Sequence, residues 1–245
     1  MNAEPANTPG RPPVAARPKA LIIGNSDGIG LALTRRLLRE GWLVTGVSRR
    51  ASPIGDPSYE HDVHDVSDPS YGARLAALQE RKGPFAVCVY CVGIGHPFDP
   101  GDLAAETQVF RVNLLGAVET SSVVLPPMLA AGRGHFVALS SIADASPSAA
   151  APSYAASKAG LSFYLAGLAL AVRSRGVYVT NVRFGFVDTK MAKSPVRPMM
   201  MTVDRAVELL MRCLRTRPAQ MTYPRSMAVL VRLLGWVVAS KLWFS

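Results

Sequence analysis

Tyr154 and Lys158 stand four residues apart in the stretch Ser153-Tyr154-Ala-Ala-Ser-Lys158, one helical turn, so their side chains share a face. A nearby ammonium favours the phenolate, which lowers a tyrosine pKa of about 10 and makes the phenol a general acid for a carbonyl oxygen. Thirteen positions earlier, Ser141 closes the run Leu139-Ser140-Ser141 at the carboxyl end of an expected strand. Phenol, ammonium and hydroxyl at one sheet edge would form a proton-transfer site.

A second chemistry-bearing stretch is Gly24-Asn25-Ser26-Asp27-Gly28-Ile29-Gly30, between an apolar strand and a helical pattern. Glycines there permit a sharp turn and let backbone N–H groups approach a pyrophosphate at the helix N-terminus. In such folds a carboxylate about 20 residues on holds the ribose of NAD. Here the second strand ends in Val47-Ser48-Arg49-Arg50, and hydroxyl plus guanidinium suit a 2′-phosphate, favouring NADP(H) over NAD(H). Asp27 pulls the other way, lying close to where that phosphate would sit. Asp65 and Val66, after the third strand, are positioned for the adenine, Asp65 on its amine and Val66 on its ring face.

Other candidates carry a plainer reading. Cys88-x-x-Cys91 has redox spacing, yet it lies in an apolar strand that points the two thiols to opposite faces; buried, reduced thiols are expected, in keeping with a cytoplasmic setting. His61-x-x-His64 lacks further ligands nearby and reads as a surface pair, so no metal site is expected. His96, beyond the fourth strand, is placed to line a pocket. Met199-Met200-Met201 suits either an apolar substrate loop or core packing.

The elements that must position these residues alternate. Strands are expected at Ala20–Ile23, Leu43–Val47, Tyr59–Val63, Phe85–Val92, His135–Leu139, Val177–Val182 and Met221–Tyr223. Helices are expected from Ile29 to near Gly41, from an Asp68-Pro69 cap to Lys82, over Phe110–Met128, Pro152–Arg173 and Thr202–Leu214. Strands apolar on both faces and separated by helices mean a parallel sheet covered on both sides, an α/β doubly wound single domain. Its expected extent is 19–224. A proline-rich leader, 1–18, precedes it, too polar to bury a core.

With those motifs in order, the chain resembles the short-chain dehydrogenase/reductase family of the compact single-domain kind, over roughly Lys19 to Tyr223. The resemblance rests on the Gly24–Gly30 turn, Asp65-Val66, Asn113 within Val-Asn-Leu-Leu-Gly, Ser141, Tyr154-x-x-x-Lys158 and Gly185-x-Val187-x-Thr189. It implies hydride exchange between a nicotinamide and a ketone, aldehyde or secondary alcohol. It also implies that Tyr154 transfers the proton, Lys158 tunes it and holds the nicotinamide ribose, and Ser141 binds the substrate oxygen. Asn113 would steady a helix kink, and Val187 and Thr189 would meet the carboxamide or pyrophosphate. Two departures stand out: Cys91-Val92-Gly93 replaces the family's Asn-Ala-Gly, which bears on the cofactor contact at Cys91, and Phe184 replaces the proline before Gly185. A scaffold that binds dinucleotide without catalysis, or an isomerase or dehydratase on the same site, are the rival readings.

The formal charge is +10, but the arginines form no basic run with interleaved aromatics, so nucleic acid is not an expected partner. A small-molecule carbonyl or alcohol, and a second copy or a tetramer of this chain, are. The segment 225–245 is apolar and basic. The eighteen residues from Met227 to Phe244, with Arg232 well inside them, are short for a span; a helix in a membrane interface, over the substrate cleft or against a partner subunit are the readings left open.

Overall fold

The computed structural model describes residues 17–191 and 197–243, with side chains to Ser240. Seven strands form one parallel sheet in the order β3-β2-β1-β4-β5-β6-β7, with β1 Lys19–Ile23, β2 Leu43–Ser48, β3 Tyr59–Val63, β4 Val87–Tyr90, β5 Gly134–Ser141, β6 Val177–Phe184 and β7 Gln220–Tyr223. The order reverses between β1 and β4, the switch point where ligands bind in open α/β sheets.

Strand alternation explains the two cores. Leu21, Ile23, Cys88 and Tyr90 face one side, against α2 (Tyr71–Lys82), α4 (Gly116–Ala130) and α5 (Pro152–Val172). Ala20, Ile22, Val87 and Val89 face the other, against α1 (Gly28–Arg39) and α6 (Val203–Thr216). Cys88 belongs to the first core and Cys91 packs against the second, so the two thiols do lie on opposite faces.

Several boundaries depart from expectation. The helix after β3 starts at Tyr71 rather than at Asp68-Pro69, because the Asp68 carboxylate accepts from Ser70 N at 2.8 Å in a turn instead of capping the helix. The helix expected from Phe110 begins earlier, at Leu103: α3 runs Leu103–Phe110 with Asp102 capping Ala105 N, and a π turn at Arg111–Leu115 joins it to α4. Arg17 and Pro18, expected in the leader, belong to the domain. The Arg17 guanidinium donates to Gly41 O (2.6 Å) and Ser58 Oγ (3.0 Å), and Pro18 O accepts from Leu43 N. The rest of the leader lies outside the described residues.

His61 and His64 are not a surface pair. His64 is buried and stacks on Tyr71, while His61 contacts Tyr59 Oη at 2.6 Å and Ser48 Oγ at 3.2 Å. Among the described residues no cluster of metal-ligating side chains occurs.

Candidate active site

At the carboxyl edge of β4 and β5 a cavity of about 440 Å³ opens, lined mostly by apolar groups. Strand β5 carries Ser141 to its rim. There the Ser141 hydroxyl accepts from Ala143 N at 3.2 Å, capping the short turn Ile142–Ala145. Pro152 opens α5 with a fixed φ suited to a first helical position, and the helix brings Tyr154 and Lys158 to the same wall. The Tyr154 phenol has Ser141 as its hydrogen-bond partner, and the Lys158 ammonium lies 6.0 Å from the Tyr154 ring centre.

Electrostatics at this wall differ from the sequence-based expectation in one respect. Burial pushes the Tyr154 phenol above its usual pKa; the Ser141 bond opposes this and the Asp144 carboxylate adds to it. Lys158 does not offset it here, because its ammonium turns to donate to Leu139 O at 2.8 Å and is itself pulled down to about 8 by burial. The expected depression of Tyr154 by Lys158 is therefore absent. Phenol and amine are instead pushed apart in proton affinity: the phenol holds its proton more firmly and the ammonium gives its proton up more readily.

Asn113 lies in the π turn behind this wall. Its Oδ1 accepts from Ile94 N (2.8 Å) and its Nδ2 donates to Ile94 O (2.8 Å) and Ser157 Oγ (3.0 Å), fixing the chain after β4 against α5. A Cβ on Gly93 would come within 3.4 Å of the Lys158 ammonium, so the lack of a side chain there leaves room around the lysine.

The glycine turn follows β1. Gly24 adopts φ +87° and Gly28 φ +54°, the left-handed region that glycine enters freely. A Cβ on Gly30 would overlap the Gly24 carbonyl oxygen, so only glycine lets the helix start this close to the turn. Asp27 caps α1, accepting from Gly28 N at 2.8 Å. Thr189 stands across from Gly28, whose built Cβ would lie 3.4 Å from the Thr189 methyl. Ile29, Cys91, Val92, Gly93, Gly185, Val187 and Thr189 all line the cavity with Ser141, Tyr154 and Lys158. This glycine cradle at a helix N-terminus, joined through Ile29 to a mostly apolar cavity, fits a nicotinamide dinucleotide.

The adenosine end is less as expected. The Ser48 hydroxyl is buried and donates to Arg50 O (2.8 Å), so it turns inward rather than toward a phosphate. Arg49 lies 3.8 Å from Asp65, and Asp27 is held by Lys190 at 2.7 Å with Arg50 at 3.9 Å. The Lys190 contact holds the Asp27 carboxyl below its usual range. Three cations thus face two carboxylates on an exposed rim, and Asp27, which counted against a phosphate, is neutralised. Val66 is buried where a Cβ on Gly116 would touch it, a wall rather than an exposed platform. Asp65 Oδ1 is taken by the Ser67 N–H and hydroxyl.

Smaller expectations resolve as follows. Burial raises the Cys91 thiol to about 12, so it stays protonated and serves as an apolar wall. Phe184, expected either near the nicotinamide or as filler, is buried in the core and also lines the cavity. His96 lines the cavity mouth, with its two ring nitrogens at 3.1 Å from the carbonyls of Pro97 and Ala105. Met201 is core, bonded through its backbone to Phe186, while Met199 and Met200 lie outside the cavity.

What sequence reasoning missed is Asp144. Its carboxylate is held bidentately by Arg183 of β6, through Nε at 2.6 Å and through an Nη contact to the other oxygen. Ser162 also donates to it, and Ser162 meets Ser140 Oγ at 2.7 Å, which in turn donates to Lys158 O. The carboxylate is 4 % exposed and Arg183 16 %, so the pair is enclosed. The signal was an acid three residues after Ser141 and an arginine inside an apolar strand, which become partners only through the β5–β6 register.

A parallel sheet with a glycine cradle at its switch point, beside a wall that carries a phenol, an ammonium and a hydroxyl, is the architecture of a dinucleotide-binding α/β domain. The model of the short chain dehydrogenase family matches residues 18–199. An uncharacterized oxidoreductase of Myxococcus xanthus is 31% identical over 230 residues, 87% of this chain and 90% of that protein. A 3-oxoacyl-acyl-carrier-protein reductase of Pseudomonas aeruginosa is 32% identical over 190 residues, 71% and 75% of the two chains. Among solved structures, a short chain dehydrogenase from Burkholderia cenocepacia in complex with NADP superposes with a TM-score of 0.79, covering 88% of this chain and 91% of that one at 21% identity. The chain belongs to the short-chain dehydrogenase/reductase family and is an NAD(P)-dependent oxidoreductase.

Proposed function

We propose that this protein is an NADP(H)-dependent reductase of apolar ketones or aldehydes, or the reverse alcohol dehydrogenase, with Tyr154 as general acid or base. The observation that carries this reading is the Ser141–Tyr154–Lys158 wall closing an apolar cavity at the switch point. When bound, the nicotinamide supplies or takes up hydride. Gly24, Ser26, Gly28, Ile29 and Gly30 would hold the pyrophosphate, and Arg49 and Arg50 the 2′-phosphate. Asp65, Val66, Cys91, Val92, Gly93, Gly185, Val187 and Thr189 would line the remaining length. Ser141 orients the substrate oxygen toward the Tyr154 phenol and, by its hydrogen bond, lowers the cost of the phenolate, Tyr154 passes the proton, and Lys158 holds the ribose. Asn113 holds Ile94 and α5 so that this wall keeps its spacing.

An exposed stripe on α5, with Phe163 and Leu170 each 86 % exposed and Gly167 open between them, supports a second copy of this chain as partner. Small and apolar residues on one helix face allow close packing.

Tyr154→Phe tests the mechanism. Turnover of a lipophilic ketone should fall by at least about 100-fold, with NADPH affinity by fluorescence titration unchanged; near-normal turnover would overturn it. In Arg49→Ala/Arg50→Ala, the preference for NADPH over NADH should fall by roughly tenfold or more. An unchanged ratio would remove Arg49 and Arg50 from the 2′-phosphate site, and a wild-type preference for NADH would overturn the NADP(H) assignment.

A further inference from the structure

The carboxyl-terminal helix α7, Arg225–Trp243, has one face spoken for and the opposite face bare. Met227 and Gly235 are buried and Val231 partly so, at fourfold spacing that makes one face. A Cβ on Gly235 would overlap Ala145 O, and one on Gly185 would overlap the Met227 methyl. This inward stripe therefore lies directly on the turn after Ser141 and on the segment after β6. The outward face carries Val229, Leu233, Trp236 and Val237, flanked by Leu230. All are more than two-fifths exposed, and Trp236 reaches 72 %. A contiguous apolar face of that kind is rare on a surface that meets only water.

Charge identifies what covers it. From Leu209 to Ser245 there are six basic residues and no aspartate or glutamate, so over half of the chain's net charge of +10 resides in this last stretch. Arg225 and Arg232, seven residues apart, project from one flank of the bare face. Where α7 leaves β7, a groove of about 790 Å³ is lined by Arg205, Arg212 and Arg225. Arg205 is engaged by Glu208 and stacks on Tyr223. Arg212 and Arg225 have no acidic partner among the described residues. A tryptophan and branched aliphatics on the outward face with guanidiniums at the flank match the two layers of an anionic bilayer surface, acyl boundary and phosphate headgroups.

We propose that α7 docks this protein on anionic membranes, its outward face entering the interface in plane while Arg212, Arg225 and Arg232 meet lipid phosphates. The same helix braces the turn after Ser141, so docking sets the catalytic domain on the bilayer with α7 between cavity and lipid.

The test is co-sedimentation of the full chain with phosphatidylcholine vesicles, with and without about one-third phosphatidylglycerol. The full chain should sediment with the anionic vesicles and stay in solution with the neutral ones, and added salt should release it. Leu233→Asp/Trp236→Asp should weaken partitioning by tenfold or more. Arg225→Glu/Arg232→Glu should abolish the anionic preference. Both variants should retain the wild-type circular dichroism and NADPH affinity, which checks folding independently. No sedimentation with anionic vesicles, or equal binding to both compositions, overturns the proposal. So does a Leu233→Asp variant that loses subunits in solution, which would assign the bare face to a second copy of this chain.

Discussion

Lys158 is a strained tenant of its own fold, and replacing it with methionine exposes the strain. Burial takes its ammonium from 10.5 to about 8. A displacement of that size corresponds to roughly 3 kcal/mol against the charged form in the folded state. The sign follows from proton binding. Below about pH 8 both states carry the ammonium, and the folded state bears the whole penalty. Between about 8 and 10.5 the unfolded chain holds the proton more firmly, so stability rises with pH and the penalty fades. Lys158→Met removes the penalty but also the bond to Leu139 O, about 1 kcal/mol. At about pH 7 the cofactor-free variant should be more stable by roughly 2 kcal/mol, and at about pH 10 the two should be nearly equal. Urea unfolding followed by circular dichroism reads this as a midpoint shift of about 1 M at neutral pH. Every other titrating group is common to both proteins and cancels. A wild-type–variant difference that stays flat between those two pH values would refute the buried-ammonium reasoning.

Two further outcomes follow from the same wall. Asp144→Ala leaves Arg183 enclosed without its partner and should cost about 3–5 kcal/mol by urea unfolding; adding Arg183→Met should recover most of it, and a small single-variant effect would mean the pair is solvated. Gly30→Ala places a methyl against the Gly24 carbonyl and should cost about 2–3 kcal/mol and weaken dinucleotide binding, seen by calorimetry; an unaffected affinity would detach Gly30 from the cradle.

Much of the fold was legible because it is written in local patterns. Apolar runs such as Ala20–Ile23 and Phe85–Val92 have no polar face to offer water, and so could only be central strands. Tyr154 and Lys158 were legible because helical spacing alone puts them together. What could not be read depends on distant pairing. Asp144 meets Arg183 only because β5 and β6 run in register, and Lys190 reaches Asp27 from 163 positions away. The helix start at Tyr71 was missed because Asp68 could cap or turn with equal local chemistry, and the turn won. The direction of the Tyr154 shift was missed because spacing predicts proximity to Lys158 but not the carbonyl that claims its ammonium. Leu103–Phe110 was missed because its apolar residues cluster at the two ends of the segment and give no helical period.

The amide of Asn113 has a consequence for the shape of the sheet. Strand β4 loses β1 and β5 as partners after Tyr90 and Cys91, just where the crevice must open. Three residues later Ile94 would have both its backbone groups unpaired, a situation that usually draws a chain back into the sheet or out to water. Asn113 presents a donor and an acceptor from one planar group, and so stands in for a neighbouring strand one residue long. The crevice is propped apart by a side chain imitating backbone. Aspartate would offer no donor and leucine neither group, so the width of the opening, and not only a contact within it, is vested in a single amide.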